Sequence, residues 1–400
     1  MNILHVIPSF APAWRYGGPI IASLGLTTAL AKRGHNVKVF TTNKDGDGIL
    51  PVEIGKPVSM QGIEVTYFPV GFPRWYYFSF KLSHALKHNL PDFDIVHIHS
   101  VYLWPTTIAA YWCRKLKIPY LVRPLGMLDS INVEKDYEYK ITSFMSKIKK
   151  NTYMKFIGKH DLNNAAGIHY TSQYEKDLSS KWKIKTEDAV IPLGVDIPKS
   201  NIRLSGHKIA GVQDKLKTIL FLSRLDPIKG IETLIETINI LYQVRKDFNL
   251  IIGGSGTKEY ELKLRKIIDD NGLNHVISMI GNVGQLDKNN IFENADLFVL
   301  LSHHENFGIV VAEAMATKLP VIISSNVGIQ NYVKDYGAGV VVKENNPELI
   351  ARQIGDLLDD DKLRIEMGNK ARYLCENEFT WDKVAGQTEK YYELILNKSD

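Results

Sequence analysis

Residues 302–320 read SHHENFGIVVAEAMATKLP. One apolar run, 296–301 (DLFVLL), precedes this stretch, and another, 319–324 (LPVIIS), follows it. Short apolar runs flanking a stretch of helical character predict strand, helix, strand, the unit of a parallel sheet. Asn306-Phe307-Gly308 is suited to open the helix. Glu305 then stands at the end of a strand, and Glu313 about two turns inside the helix. The free N–H groups at a helix start attract phosphate. Carboxylates at and just behind such a mouth suit sugar hydroxyls. A phosphorylated sugar or a nucleotide is the ligand class this pattern calls for.

The same alternation extends in both directions. Upstream, strands are expected at 218–222, 249–253 and 276–280, with helices at 231–244, 259–271 and 286–294. Downstream, 347–396 reads as mostly helical, broken near Glu378-Phe379-Thr380. The first half repeats the theme. Strands are predicted at 3–7, 36–41, 63–68, 94–99, 120–123, 167–171 and 189–193, with helices at 19–33, 80–90, 106–116 and 137–157. Gly34 supplies a helix stop after the first of these helices. Residues 197–215 (IPKSNIRLSGHKIAGVQDK) are polar and broken by Pro and Gly, so they read as a linker.

These readings give an α/β protein of two Rossmann-like domains facing across a cleft. The first spans 1–197 and the second 198–379. Four hundred residues exceed what one core usually serves. A net charge of +5 is too mild to argue for nucleic acid, yet it permits anionic ligands or an anionic membrane surface. The two cysteines, Cys113 and Cys375, read as buried thiols in a reducing compartment. The opening MNILHVIPS reads as a strand and not as a secretory leader. No apolar run reaches the length of a membrane span. A cytoplasmic protein is therefore expected.

Three loops carry candidate chemistry. Residues 223–230 (SRLDPIKG) follow a strand and place Arg224 and Lys229 beside a helix start, a suitable diphosphate clamp. A solvated loop with two surface charges explains the same residues about as well. Residues 253–256 (GGSG) bring Gly254 to a strand end, where backbone can approach a ligand. A plain strand–helix turn is the simpler reading. Tyr16-Gly17-Gly18-Pro19 forms a comparable loop after the first strand, with proline at a first-turn position.

Taken in order, the Gly17-Gly18 loop, DIVHIH at 94–99, SRLDPIKG, GGSG and the pair Glu305 and Glu313 carry a resemblance over nearly the whole chain. The chain resembles the retaining, nucleotide-sugar-dependent glycosyltransferases of the GT-B fold, glycosyltransferase family 4. SRLDPIKG together with ENFGIVVAE is the specific part of the match. The resemblance implies that Arg224 and Lys229 hold the donor diphosphate and that Glu305 contacts the donor sugar. It implies backbone contacts to sugar and phosphate from Asn306, Phe307, Gly308 and Ile309, and ribose binding by Glu313. Gly17 and Gly18 would close on the phosphates. Gly281 and Val283 lie where such enzymes hold the base. No metal is implied, and the donor would be UDP- or GDP-linked. The resemblance also implies that the domain at 1–197 binds the acceptor and that at 198–379 the nucleotide sugar, with a last helix at about 380–397 packing back on the first.

The chain departs from the family at one place. Many members carry a histidine before a glycine in the N-terminal domain, where this sequence has Leu125-Gly126. An apolar side chain there suits a donor lacking a hydroxyl at that point, as in 6-deoxy sugars. Arg123 and His99 are further candidates for contact with acceptor or donor sugar. His97 and His99 share one strand face. Two histidines without a carboxylate at ligand spacing argue against a metal.

Residues 140–160 (KITSFMSKIKKNTYMKFIGKH) hold six lysines, with Ile141, Phe144, Met145 and Ile148 forming an apolar stripe. Either the helix packs on the sheet with a solvated basic face, or it lies on an anionic membrane. Trp75-Tyr76-Tyr77-Phe78 fits core, acceptor platform or membrane contact. The function expected is sugar transfer to a saccharide or polyprenyl-diphosphate-linked acceptor in bacterial surface polysaccharide synthesis. Alternatives are a sugar-nucleotide epimerase, which would convert the donor without an acceptor, and a non-enzymatic nucleotide-sugar-binding scaffold, which would keep its role without Arg224, Lys229 and Glu305.

Overall fold

A computed structural model describes residues 1–129, 144–198 and 216–398. Most of the 197–215 stretch and the first part of the basic segment lie outside the described residues. The chain divides into two units. One is Met1–Gly194 with the Trp381–Asn397 helix, and the other is Val195–Thr380.

The first unit is built on an eight-stranded sheet. Its strands are β1 (Asn2–Ser9), β2 (Asn36–Thr42), β3 (Pro57–Met60), β4 (Ile63–Phe68), β5 (Ile95–His99), β6 (Tyr120–Arg123), β7 (Gly167–Tyr170) and β8 (Asp188–Val190). They lie in the order β8-β7-β6-β5-β1-β2-β4-β3. All neighbours are parallel except β3 and β4. The antiparallel edge strand β3 and a small hairpin, Lys44–Asp45 with Gly48–Ile49, are elements that the apolar pattern did not announce.

β1 is apolar on both faces because both are covered. Ile3 and Ile7 join the core beneath the Gly18–Lys32 and Trp381–Asn397 helices. Leu4 and Val6 join the opposite core, with Leu82, Leu86, Ala109 and Cys113 from the Phe80–Asn89 and Trp104–Leu116 helices. The last helix closes its own face of the sheet. A Cβ on Gly25 or Gly194 would strike the Trp381 ring, and Arg33 donates to Glu389 at 2.6 Å.

The second unit has a six-stranded, all-parallel sheet. Its strands are β9 (Lys217–Leu222), β10 (Phe248–Gly253), β11 (Ile277–Gly281), β12 (Leu297–Leu300), β13 (Val321–Ser324) and β14 (Gly339–Val342), in the order β11-β10-β9-β12-β13-β14. β14 is the strand absent from the sequence reading. Each unit therefore reverses strand order beside its first strand, at β1/β5 and at β9/β12. Such reversals open a crevice at the C-terminal ends of parallel strands.

The helix after β12 spans Ile309–Ala316. Glu313 consequently lies one turn in, not two. Gly308, at φ 92°, caps the helix, so the turn enters through a left-handed residue and the helix starts later than the apolar pattern suggests. The C-terminal helical stretch breaks twice. Asp360 caps Asp361–Glu378 by accepting from Leu363 N at 2.9 Å, and Phe379-Thr380 separates that helix from the last.

Candidate active site

Every loop carrying a candidate in the second unit leaves its strand at the C-terminal end. Arg224 follows β9, Gly254 follows β10, Gly281 closes β11, and Glu305 lies beyond β12. The Glu305 loop is pinned by its backbone: Glu305 N donates to Asn326 O at 3.0 Å and Gly328 N to Glu305 O at 2.9 Å. Phe307 is buried, its ring 5.5 Å from that of Phe379, so it can serve a ligand through backbone only. Ile309 and Val310, at the start of the Gly308-capped helix, have no intrahelical acceptors for their N–H groups.

Lys229 and Glu305, seventy-six residues apart, meet as an ion pair. Both side chains are largely buried, which strengthens the pair and fixes the ammonium at the foot of the helix. The fold sets this geometry through Gly230. That residue has φ 67°, and a Cβ on it would lie 2.2 Å from Leu301 O. Next to it, His303 N donates to Ile228 O at 2.8 Å, which ties the Lys229 turn to the Glu305 loop. Arg224 behaves differently. Its side chain is 70% exposed and loosely paired with Asp226 at 3.5 Å.

Glu313 is paired with Lys288 from the Gln285–Glu293 helix. Burial pushes the Glu313 carboxyl up and the nearby Asp196 adds to this, while Lys288 opposes both. Lys288 escaped the sequence reading because it lies twenty-five residues upstream on another helix, where no spacing rule links it to Glu313. Gly254, at φ 135°, donates its N–H to Gly281 O at 2.7 Å. That amide supports the loop, so the contribution expected of Gly254 to a ligand would have to come from elsewhere on its backbone. Gly281 and Val283 lie at the end of the neighbouring strand and just beyond it.

In the first unit, Gly17 caps the Gly18–Lys32 helix at φ 67° with open space where a Cβ would be. Its N–H is used by Trp14 O at 2.9 Å. The Gly18 amide, in the first turn, is the donor left over, since Pro19 has none. Leu125 stands at φ 55°, a left-handed conformation unusual for a branched residue. Glu175, fully buried, holds the loop by accepting from Gly126 N at 2.6 Å and Thr171 N at 2.6 Å.

His99 and Arg123 are not at the surface. Both are buried in one sheet face with His5, His97 and His169. Register explains the cluster: His5 pairs with His97, and His99 with Arg123. His5 Nδ1 lies 2.9 Å from His99 Nε2, His97 Nδ1 lies 2.7 Å from the Tyr392 hydroxyl, and His169 Nε2 donates to Ile191 O at 3.0 Å. Burial, then the Arg123 charge, holds His5 down at about 3. His97, His99 and His169 are also held well below the usual histidine range, by burial first. Burial draws Arg123 down to about 10, which leaves it charged at neutral pH.

As burial keeps these residues from the surface, contact with a sugar by His99 or Arg123 would need the sheet face to open. The candidate nitrogens of His5, His97 and His99 lie within 4.8 Å of one another, a spacing that a metal ion could use. The buried guanidinium beside them raises the cost of any cation there. The sequence showed the His97/His99 alternation. It gave no sign that β1 and β7 would add His5 and His169 to the same face.

Two family descriptions match the chain. Glycosyl transferases group 1 matches residues 205–373, and Glycosyltransferase Family 4 matches residues 16–199. A D-inositol 3-phosphate glycosyltransferase of Paenarthrobacter aurescens is 27% identical, covering 98% of this chain and 97% of its own. A glycosyltransferase of Methanocaldococcus jannaschii with no assigned reaction is 25% identical, over 96% and 97%. The solved structure of Anabaena HepE in complex with UDP-glucose superposes with a TM-score of 0.72 at 17% identity, over 98% of this chain and 100% of that one.

Proposed function

The chain is a glycosyltransferase of family 4 with the GT-B fold, and on that premise we propose that it moves a sugar from a UDP- or GDP-linked donor to a saccharide or lipid-linked acceptor with retention of configuration. The observation that carries this reading is the Lys229–Glu305 pair at the foot of the Gly308-capped helix. Breaking the anomeric C–O bond leaves positive charge on the sugar and negative charge on the departing diphosphate. Lys229, Arg224 and the amides of Ile309 and Val310 are the groups that would neutralise that negative charge, without a metal. Glu305 holds the Lys229 ammonium and offers its remaining lone pairs to sugar hydroxyls. Glu313, on the same helix, is assigned the ribose.

No acid and nucleophile pair of the glycosidase type stands out in the sequence. A same-face displacement, in which the leaving phosphate takes the acceptor proton, accounts for retention. The acceptor is assigned to the Met1–Gly194 unit. The relative named as an inositol 3-phosphate glycosyltransferase is consistent with a polar hydroxyl as acceptor, and a lipid-borne hydroxyl is proposed beside it. Surface polysaccharide assembly in a bacterium is the setting proposed. Leu125 favours a 6-deoxy donor, and a donor panel won by a fully hydroxylated hexose would remove that detail.

The test is acceptor-dependent release of UDP or GDP with a nucleotide-sugar panel, in the native protein and in Lys229→Ala and Glu305→Gln. Loss of turnover in both variants is expected. Donor conversion without acceptor would point to an epimerase, and an inverted anomeric product by NMR would reject retention.

A further inference from the structure

The aromatic cluster at residues 72–80 resolves into two groups. Tyr76, Tyr77 and Phe78 turn inward. Tyr76 and Phe78 pack on Trp104 at ring distances of 6.1 and 4.8 Å, and the Tyr77 hydroxyl meets that of Tyr16 at 3.0 Å. Phe72, Trp75 and Phe80 turn outward and are 91%, 67% and 74% exposed. The loop that presents them is closed by Gly71 N donating to Phe78 O at 2.7 Å and braced by Tyr76 N to Pro73 O at 3.1 Å. It is a pre-ordered projection, so inserting it into another phase costs little ordering entropy.

Among the described residues, basic side chains outnumber acidic ones around the projection, although Asp45, Asp161 and Asp129 act on Tyr77, Tyr76 and Tyr102. Residues 72–89, 100–120 and 148–160 contain no aspartate or glutamate. They expose Arg74, Lys81, Lys87, Lys115, Lys117, Lys149, Lys150, Lys155 and Lys159. Arg114, by contrast, is paired with Asp161 at 2.6 Å. The stretches are neighbours in space. Lys149 Nζ sits 5.3 Å from the Trp75 ring, beside the exposed Ile148, and Lys150 sits 5.9 Å from the Tyr102 ring. The Thr107 hydroxyl meets that of Tyr153 at 2.6 Å, and Trp112 donates to Ser83 Oγ at 3.0 Å. These contacts join the Phe80–Asn89, Trp104–Leu116 and Phe144–Tyr153 helices into one outer layer.

We infer that this layer docks on an anionic lipid bilayer, with Phe72, Trp75 and Phe80 entering the headgroup region and the cations around them on the lipid phosphates. A convex aromatic tip ringed by lysine matches the amphipathic interface of a bilayer. Pairing with a second copy through the same patch would set the cations against themselves. The inference deepens the proposed function, since a lipid-borne acceptor lies at such a surface. Lipid binding itself needs neither donor nor turnover.

The test is co-sedimentation of the full chain with vesicles of phosphatidylcholine alone and of phosphatidylcholine with roughly 30% phosphatidylglycerol, the charge density of an anionic leaflet, over a salt series. Binding to the anionic vesicles that weakens with salt is expected. Lys149→Ala/Lys150→Ala should weaken it about fivefold per lysine. Phe72→Ser/Trp75→Ser should lower it by about tenfold for each aromatic, about 100-fold together. The same variants should keep nucleotide affinity and turnover on a water-soluble acceptor, so a failed sugar-transfer reading and a failed membrane reading separate. No vesicle binding, equal binding to neutral vesicles, or binding unchanged in both variants overturns the inference. Concentration-dependent dimerisation that Phe72→Ser/Trp75→Ser abolishes also overturns it, in favour of a protein partner.

Discussion

The two units treat ionisable groups in opposite ways. The second unit places them beyond the C-terminal ends of its strands, in pairs that bridge separate elements: Lys229 with Glu305 between two loops, and Lys288 with Glu313 between two helices. The first unit takes five of them inside, as four neutral histidines and one arginine on a single sheet face. Paired charges at a strand edge remain able to exchange partners with a ligand. Buried histidines cannot do so, and they instead make the fold dependent on pH. Strand position separates chemistry from structure here more reliably than residue type does.

The largest effect expected is on the first unit in acid. Its histidines have native pKa values below the unfolded value of about 6.5. Below that pH the unfolded chain binds protons that the native core refuses. Stability is therefore complete above about pH 6.5 and falls as pH drops toward the native pKa values, by up to about 1.4 kcal/mol per pH unit for each histidine. Hydrogen exchange between pH 7 and 4.5 should show the first unit opening before the second. A flat profile there would erase the contrast between the units.

Next in size is Lys229→Ala, with an expected loss of about 10²–10³-fold in kcat, as for removal of one preorganised donor to a developing anion. A change confined to KM would recast Lys229 as a ground-state binder.

Gly230→Ala should destabilise the second unit by about 2–4 kcal/mol, because a Cβ would meet Leu301 O in a left-handed turn. Chemical denaturation reads this directly. Gly17→Ala has the smallest expected effect. The φ is the same, 67°, but no atom lies within 4 Å of the added carbon, so about 1 kcal/mol is expected. Equal losses at the two glycines would mean that backbone angle alone, and not the tie between the Lys229 turn and the Glu305 loop, decides the cost.

Much of the fold was legible because parallel strands covered on both faces are uninterrupted apolar runs. DLFVLL and LPVIIS carry their own signal. β14 and the edge strand β3 did not: Gly339–Val342 is a short run among polar neighbours, and Pro57–Met60 takes its strand character from pairing with β4. The Glu305 and Glu313 positions were legible from their places around Asn306-Phe307-Gly308. Lys288 was not, since packing of separate helices brought it there. The burial of His99 and Arg123 was equally hidden. An alternating strand tells which residues share a face and says nothing of what covers it, and here the cover is a helix nearly three hundred residues further along the chain, reaching His97 through Tyr392.

The order of strands, helices and glycine turns, and with it the family, came from the sequence by itself, because local pattern and backbone sterics act between near neighbours in the chain. Tertiary structure decided which charges became partners, which histidines lost their water, and which aromatics faced outward. Those outcomes depend on distances between residues far apart in sequence and on the solvent that packing removes.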